Sequence, residues 1–356
     1  MKAIRFTDFQ FSNNFTLYFV NPKNTYVLQI FRDNQVFTAV FVILYFLLFS
    51  ANIWFYPSEN LGTFQELPST LSAWLMGWLD NPTNNKIAFS LLLLVQALVI
   101  NTMVNTFKVA KQYSFITAIC YILLHFSYVD IDVCSPVVLG NTFLLWSLYS
   151  MFSSYEKRVS LGAIFNIGFA AAMAALLYNG FIVYFFWIII GLLIVRSFDL
   201  QEFILLLLGF FTPFFLLGTY HFLGDNFGTW VDQELMIHYS TMVVHYETNI
   251  ELYLLLVVLL FPCLLALGNL QGLYFKTTSR EKKYINVVLL MPVIALFSFL
   301  AQNQLYSYHF TLFIIPISIL LSITLQSYKS LAAAEAVHFI LFMIAIGVQY
   351  QYFFFQ

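Results

Sequence analysis

The chain has 356 residues, 61% of them hydrophobic and only 9% charged, with a formal net charge of -2 and a mean hydropathy of +0.82. A globular domain carries about a quarter charged residues, so this composition excludes an ordinary soluble fold and belongs to the membrane class. The balanced charge lacks the basic stripe that a nucleic-acid partner needs.

The opening MKAIRFTDFQFSNN has no apolar core and no small-residue cleavage site, so no cleaved signal peptide is expected. Residues 1–35 form a cytoplasmic or interfacial segment. Phe9, Phe11, Phe15, Leu17 and Phe19 alternate with polar residues, a period of two that fits an extended strip. Pro22 ends it, and Tyr26 to Arg32 reads as a short interfacial helix leading into the bilayer. The rest, 36–356, reads as one helical membrane domain without linker or visible internal repeat.

Apolar runs of spanning length follow near 36–54, 87–105, 114–129, 135–153, 160–178, 180–196, 202–221, 251–268, 286–301, 305–325 and 335–354. The expected fold is therefore all-α, a polytopic transmembrane bundle of about eleven spans. With the N-terminus cytoplasmic, the inner segments hold Lys2, Arg5, Lys23, Arg32, Lys108, Lys111, Lys157, Arg158, Arg196, Lys276, Arg280, Lys282, Lys283 and Lys329. That is 14 of the 15 Lys and Arg, with Lys86 alone outside. The positive-inside rule then places the N-terminus in the cytoplasm and the C-terminus on the outer side. The basic inner loop from Lys276 to Lys283 sets topology beside anionic lipid.

Two outer loops are long, 55–86 and 222–250. In the first, residues 69–80 read as a helix lying in the headgroup layer. Leu71, Trp74, Leu75, Trp78 and Leu79 share one face, and Ser69 or Thr70 is placed to cap it. Within the seventh run, Gly209, Pro213 and Gly218 point to a kink or a close helix contact. Tyr178-Asn179-Gly180 is a turn between the fifth and sixth runs.

The apolar cores contain essentially no Asp, Glu, Lys or Arg, which lowers the expectation of an ion-coupled transporter. A passive channel or flippase, using Asn, Gln and Tyr, stays open. Acids gather in the outer loops. Asp130 and Asp132, in the short connection YVDIDVCSP, form the tightest pair. They read either as acids filling a loop that avoids positive charge, or as a site for a divalent cation or a general base. Asp232, His238 and His245, with Glu234, have metal-binding chemistry but match no zinc spacing, and the plain reading is a solvated loop. Arg196, Asp199 and Glu202 at the inner corner are expected to snorkel and to cap the following helix. His125, His309 and His338 are expected to be hydrogen-bonded packing residues, and Cys120, Cys134 and Cys263 apolar filler.

The stretch LLYNGFIVYFFWIIIGLLIVRSFDLQEFILLLLGFFTPFFLLGTYHFL resembles a family of polytopic inner-membrane proteins of Bacteroidetes that carries no assigned reaction. The Arg196, Gln201-Glu202 corner and Gly209, Thr212-Pro213 carry the likeness. The resemblance implies location rather than chemistry. The layout is more distantly similar to polyprenyl-phosphate-dependent membrane glycosyltransferases, which carry acids in their first two outer loops. That similarity implies a lipid-linked sugar donor, with Asp130 and Asp132 matching the second-loop acids and Glu59 or Glu66 the first-loop acid. Asn52 stands where such enzymes place an acid close behind the first span. The competing expectation is a non-catalytic subunit docked with other membrane proteins of an envelope assembly.

Overall fold

The computed structural model describes residues 27–32, 36–55, 70–79, 81–128, 134–155, 161–197, 199–234, 243–244, 249–275, 277–299, 304–305 and 307–350. The fold is helical. In chain order the helices are α1 (Val27–Ile30), α2 (Val36–Phe55), α3 (Thr70–Trp78), α4 (Pro82–Thr106), α5 (Ile116–Phe126), α6 (Pro136–Ser153) and α7 (Leu161–Leu177). They continue with α8 (Tyr184–Val195), α9 (Leu200–Leu223), α10 (Phe227–Glu234), α11 (Asn249–Tyr274), α12 (Ser279–Phe299), α13 (Ile314–Ser327) and α14 (Leu331–Gln349). Short 3-10 helices, Asn179–Val183 and Ser307–Phe313, lead into α8 and α13. Val243-Val244 pairs in parallel with Gln304-Leu305 as a two-residue bridge.

A helix lies over each of the eleven apolar runs. Six are long and apolar enough to cross a membrane: Phe37–Trp54, Pro82–Thr106, Leu200–Leu223, Ser279–Phe299, Tyr308–Ser327 and Leu331–Gln349. Others are shorter, among them α5, whose 11 residues rise only about 16 Å at 1.5 Å per residue, roughly half the hydrocarbon thickness.

Local sequence starts the helices, two of them four or five residues ahead of the apolar runs. Asn81 accepts a hydrogen bond from the Thr83 amide ahead of Pro82, and Ser135 accepts one from Val138 ahead of Pro136. Proline at the first helical position costs nothing because its missing N–H would have had no partner there. Ser330 caps α14 in the same way through Ala333.

The centre of the bundle is α5. Each of its residues from Ile116 to Phe126 is buried, enclosed by α13, α4, α14 and α2. The Tyr308–Ser327 stretch is 83% buried, whereas only 28% of the α9 window is, so α13 is core and α9 faces lipid. Most exposed side chains of α9 are accordingly apolar, including Leu208, Phe211, Phe215 and Leu216. The most extensive packing joins α7 to α9 and to α6. At the α7–α9 crossing Gly168 lies against the Leu206 carbonyl and Gly209 against Phe165, which confirms the close contact expected at Gly209. Gly218 lets Trp230 of α10 lie on α9.

Hydrogen bonds and ring contacts define two ends. At one, Phe115 donates to Phe31, Arg32 to Leu325 and Gln326 to Ser114. Phe107 there touches Phe152 and Tyr284, and Lys283 donates to Val195. Of the nine described Lys and Arg, eight belong to this end (Arg32, Lys108, Lys111, Arg196, Arg280, Lys282, Lys283 and Lys329). At the far end Cys134 donates to Asn85, Gln349 to Phe126 and Tyr350 to Leu48, and Lys86 is the remaining cation.

Three expectations are corrected. In α3 the apolar face divides: Leu71 and Leu75 turn inward, while Trp74 and Trp78 stay 61% and 72% exposed. A helix lying along the rim has both a protein side and a lipid side, and tryptophan suits the latter. The 222–250 loop holds a helix, α10, whose Trp230 anchors it to α9. At the 196–202 corner Arg196 pairs with Glu202 instead of snorkelling, and the Asp199 side chain makes no capping bond.

Candidate functional site

Polar side chains form a column along the contact of α4 and α5, running from the basic end to the far end. Near the basic end Asn105 donates to the Ser114 carbonyl at 2.9 Å and accepts from its amide at 3.2 Å. Thr117 donates to Ser322 at 3.0 Å, and Asn101 accepts from the Ala118 amide at 3.4 Å. Midway, the Tyr121 hydroxyl donates to Gln96 Oε1 at 2.6 Å, and Gln96 Nε2 donates to Thr142 at 2.7 Å and to the Val138 carbonyl at 2.8 Å. Buried amides and hydroxyls must be paired in this way, because each one left unpaired costs about 1–3 kcal/mol.

The column ends differently. On α5, Thr117, Tyr121 and His125 recur every four residues and share a face, but His125 has no hydrogen-bond partner at either ring nitrogen. Its buried ring meets Phe89 edge-on at 5.6 Å and lies 5.9 Å from Tyr121. The expected packing role thus holds for two histidines and not for this one. His309 shares a 3.2 Å hydrogen bond with Tyr178, and His338 shares one of 3.0 Å with Tyr45.

His338 belongs to a second cluster, at the basic end. Its Nδ1 lies 3.8 Å from Glu335 Oε1, and the Glu335 carboxylate accepts from the Val27 and Leu28 amides at 3.1 and 2.8 Å. Tyr45, His338 and Glu335 therefore bind α1 onto α2 and α14, which makes the cluster a structural clamp.

Of the predicted site residues, Arg196, Glu202 and Asp232 are among those described. Asp130, Asp132, Glu59, Glu66, His238 and His245 lie outside the described residues. Both flanks of the Asp130–Asp132 connection are nonetheless fixed: Tyr128 and Cys134 are buried, and the Cys134 amide is held by Asn85 at 2.8 Å. That connection therefore follows Tyr128, itself three residues beyond His125 at the head of the polar column. Burial pushes the Cys134 thiol up to about 12, which keeps it protonated and fits the filler reading rather than a nucleophile. Asp232 is exposed on α10. Arg196 and Glu202 form a 2.8 Å ion pair with each other. Among the described residues no three His, Cys, Asp or Glu come together as a metal site.

Sequence reasoning missed Gln96, Tyr121 and Thr142. One signal was available: the four-residue spacing of Thr117, Tyr121 and His125 in an otherwise apolar helix. A family model for a family of unknown function (DUF6427) matches residues 66–355. The chain belongs to that family. The match takes in α3 to α14, so the polar column and both flanks of the Asp130–Asp132 connection are within the DUF6427 region. No curated protein and no solved structure matches the chain.

Proposed function

We propose that this DUF6427 protein is an inner-membrane protein of the Bacteroidetes envelope, threading the bilayer about eleven times with its basic end in the cytoplasm. The support is charge sorting: eight of nine described cations share one end, as a cytoplasmic face requires. Reporter fusions at Lys157 and Lys282 should both read cytoplasmic. Opposite sides would refute the arrangement.

The activity this arrangement favours is sugar transfer from a polyprenyl-phosphate-linked donor to an acceptor hydroxyl at the far, periplasmic end. Asp130 or Asp132 takes the acceptor's proton as its oxygen attacks the anomeric carbon, and the bond to the lipid phosphate breaks with its electron pair. Glu59 or Glu66 of the first outer loop completes the acidic rim. A divalent cation held by the aspartates would neutralise the leaving phosphate. The observation that carries this reading is the pinning of both flanks of the 129–133 connection above a polar column that ends in an unpartnered imidazole. A base must be held in place to act, and cores do not keep unpaired polar groups without cause.

Asp130→Asn with Asp132→Asn should then lower glycan product by about a hundredfold or more, at unchanged membrane abundance. The competing reading, a non-catalytic subunit of a secretion, gliding or polysaccharide-export assembly, is favoured by the exposed, non-convergent Asp225 and Asp232. Unchanged glycan in the double variant, with a stoichiometric protein partner retained in mild detergent, would establish that reading instead.

A further inference from the structure

At the basic end two cations approach one aromatic ring. The Arg280 guanidinium carbon lies 5.2 Å from the centroid of Tyr155, and Lys283 Nζ lies 5.2 Å from the same centroid. Arg280 is also 5.5 Å from the Tyr284 ring and donates from Nε to the Tyr284 hydroxyl at 3.0 Å. That hydroxyl donates onward to the Phe152 carbonyl at 3.0 Å, and the Tyr284 side chain is fully buried, so the floor is rigid. Lys283 is fixed by its 3.1 Å bond to the Val195 carbonyl.

Neither cation has a carboxylate partner among the described residues. Glu281, on the same turn, is engaged with the Thr278 amide at 3.0 Å. Two like charges held around one ring repel each other, and ring faces offset this only in part. The first turn of α12, a helix of 21 residues, adds its positive dipole end at the same place.

We propose that Arg280, Lys283 and Tyr155 form a binding site for the phosphate of an anionic phospholipid headgroup. Phosphate fits because the guanidinium fork and the ammonium supply several donors to separate oxygens, and the site lies where α12 leaves the apolar layer. Tyr155 holds the two cations apart and facing the same ligand. The site is independent of the proposed sugar transfer, and on the proposed orientation it belongs to the cytoplasmic leaflet.

The test uses full-length protein reconstituted in phosphatidylcholine vesicles with and without phosphatidylglycerol, then released and weighed intact by native mass spectrometry. Wild type should retain phosphatidylglycerol and not phosphatidylcholine. Arg280→Gln with Lys283→Gln should lower retention about tenfold or more, with an unchanged melting temperature in phosphatidylcholine alone. Lys282→Gln, one residue from the pair but not directed at Tyr155, should retain the lipid. If the double variant melts early in phosphatidylcholine, Tyr155→Leu, which keeps both charges, should still weaken retention. Retention in all variants, or equal loss in Lys282→Gln, would overturn the site. Displacement of the lipid by inorganic phosphate at comparable concentration would overturn the lipid as its source.

Discussion

Gly209→Ala is expected to destabilise the folded protein severely, although it adds one methyl group and improves intrinsic helix propensity. A Cβ at Gly209 would fall inside the Phe165 carbonyl oxygen, and 3.0 Å from that carbonyl carbon. A Cβ at Gly168, on the opposing helix, would meet the Leu206 carbonyl and lie 2.9 Å from the Phe210 amide nitrogen. These neighbours are backbone atoms of packed helices, so neither can rotate away, and α7 and α9 must separate along their whole contact. Close approach of small residues is what holds helices together where no hydrophobic force acts between them. Overpacking of this kind costs about 3 kcal/mol or more, against a total stability of about 5–15 kcal/mol. Gly347→Ala is the control, because nothing lies within 4 Å of its added methyl, and it should gain up to about 1 kcal/mol of helix propensity. Gly191→Ala falls between them, since the atoms it meets belong to the flexible Met151 side chain. Size-exclusion profiles of fluorescent fusions in detergent rank the three. A monodisperse Gly209→Ala protein would show that the crossing is looser than the backbone geometry requires.

Those glycines mark how far sequence reasoning reaches. Each apolar run became a helix because about twenty apolar residues leave the backbone no partner but itself. Gly209 was legible as a close contact, yet its counterpart Gly168 was not, since the pairing lies in tertiary packing. The enclosure of α5 was equally invisible. Ile116 to Phe126 is mostly apolar, and only its shortness and the polar stripe of Thr117, Tyr121 and His125 hint that protein surrounds it. α10 escaped because its polar sequence, FGTWVDQE, reads as loop until Trp230 finds Gly218.

The candidate site was legible as chemistry and not as geometry. The outer-loop acids stand out by charge against an apolar chain. The buried polar column does not: Gln96, Tyr121 and Thr142 are common residues whose alignment depends on how α4, α5 and α6 rotate against each other. Tyr45 and His338 are 293 residues apart, and no local pattern joins them. His125 shows the opposite failure. Its type led to an expected hydrogen bond, but its ring has Phe89 and Tyr121 as aromatic neighbours and neither ring nitrogen finds a partner.

The Arg196–Glu202 pair yields the second large effect, and its sign depends on how many charges are removed. The side chains are only 15% and 12% exposed, and the bond is 2.8 Å. Guanidinium Nη1 and carboxylate Oε2 are buried without partners, so the pair is incompletely solvated by protein. Arg196→Met strands the short Glu202 carboxylate, which cannot reach water, and should cost about 3–5 kcal/mol. The positive end of α9 repays up to about 1 kcal/mol of this. Glu202→Met should cost less, because the longer arginine can swing its head to the interface. The double variant should recover most of the loss, since two packed methionines remove both desolvation penalties together. Thermal melts of the four proteins in detergent give the coupling directly, expected at about 2 kcal/mol or more. Additive losses would mean that each charge is solvated on its own, and the corner would then be an ordinary interfacial turn.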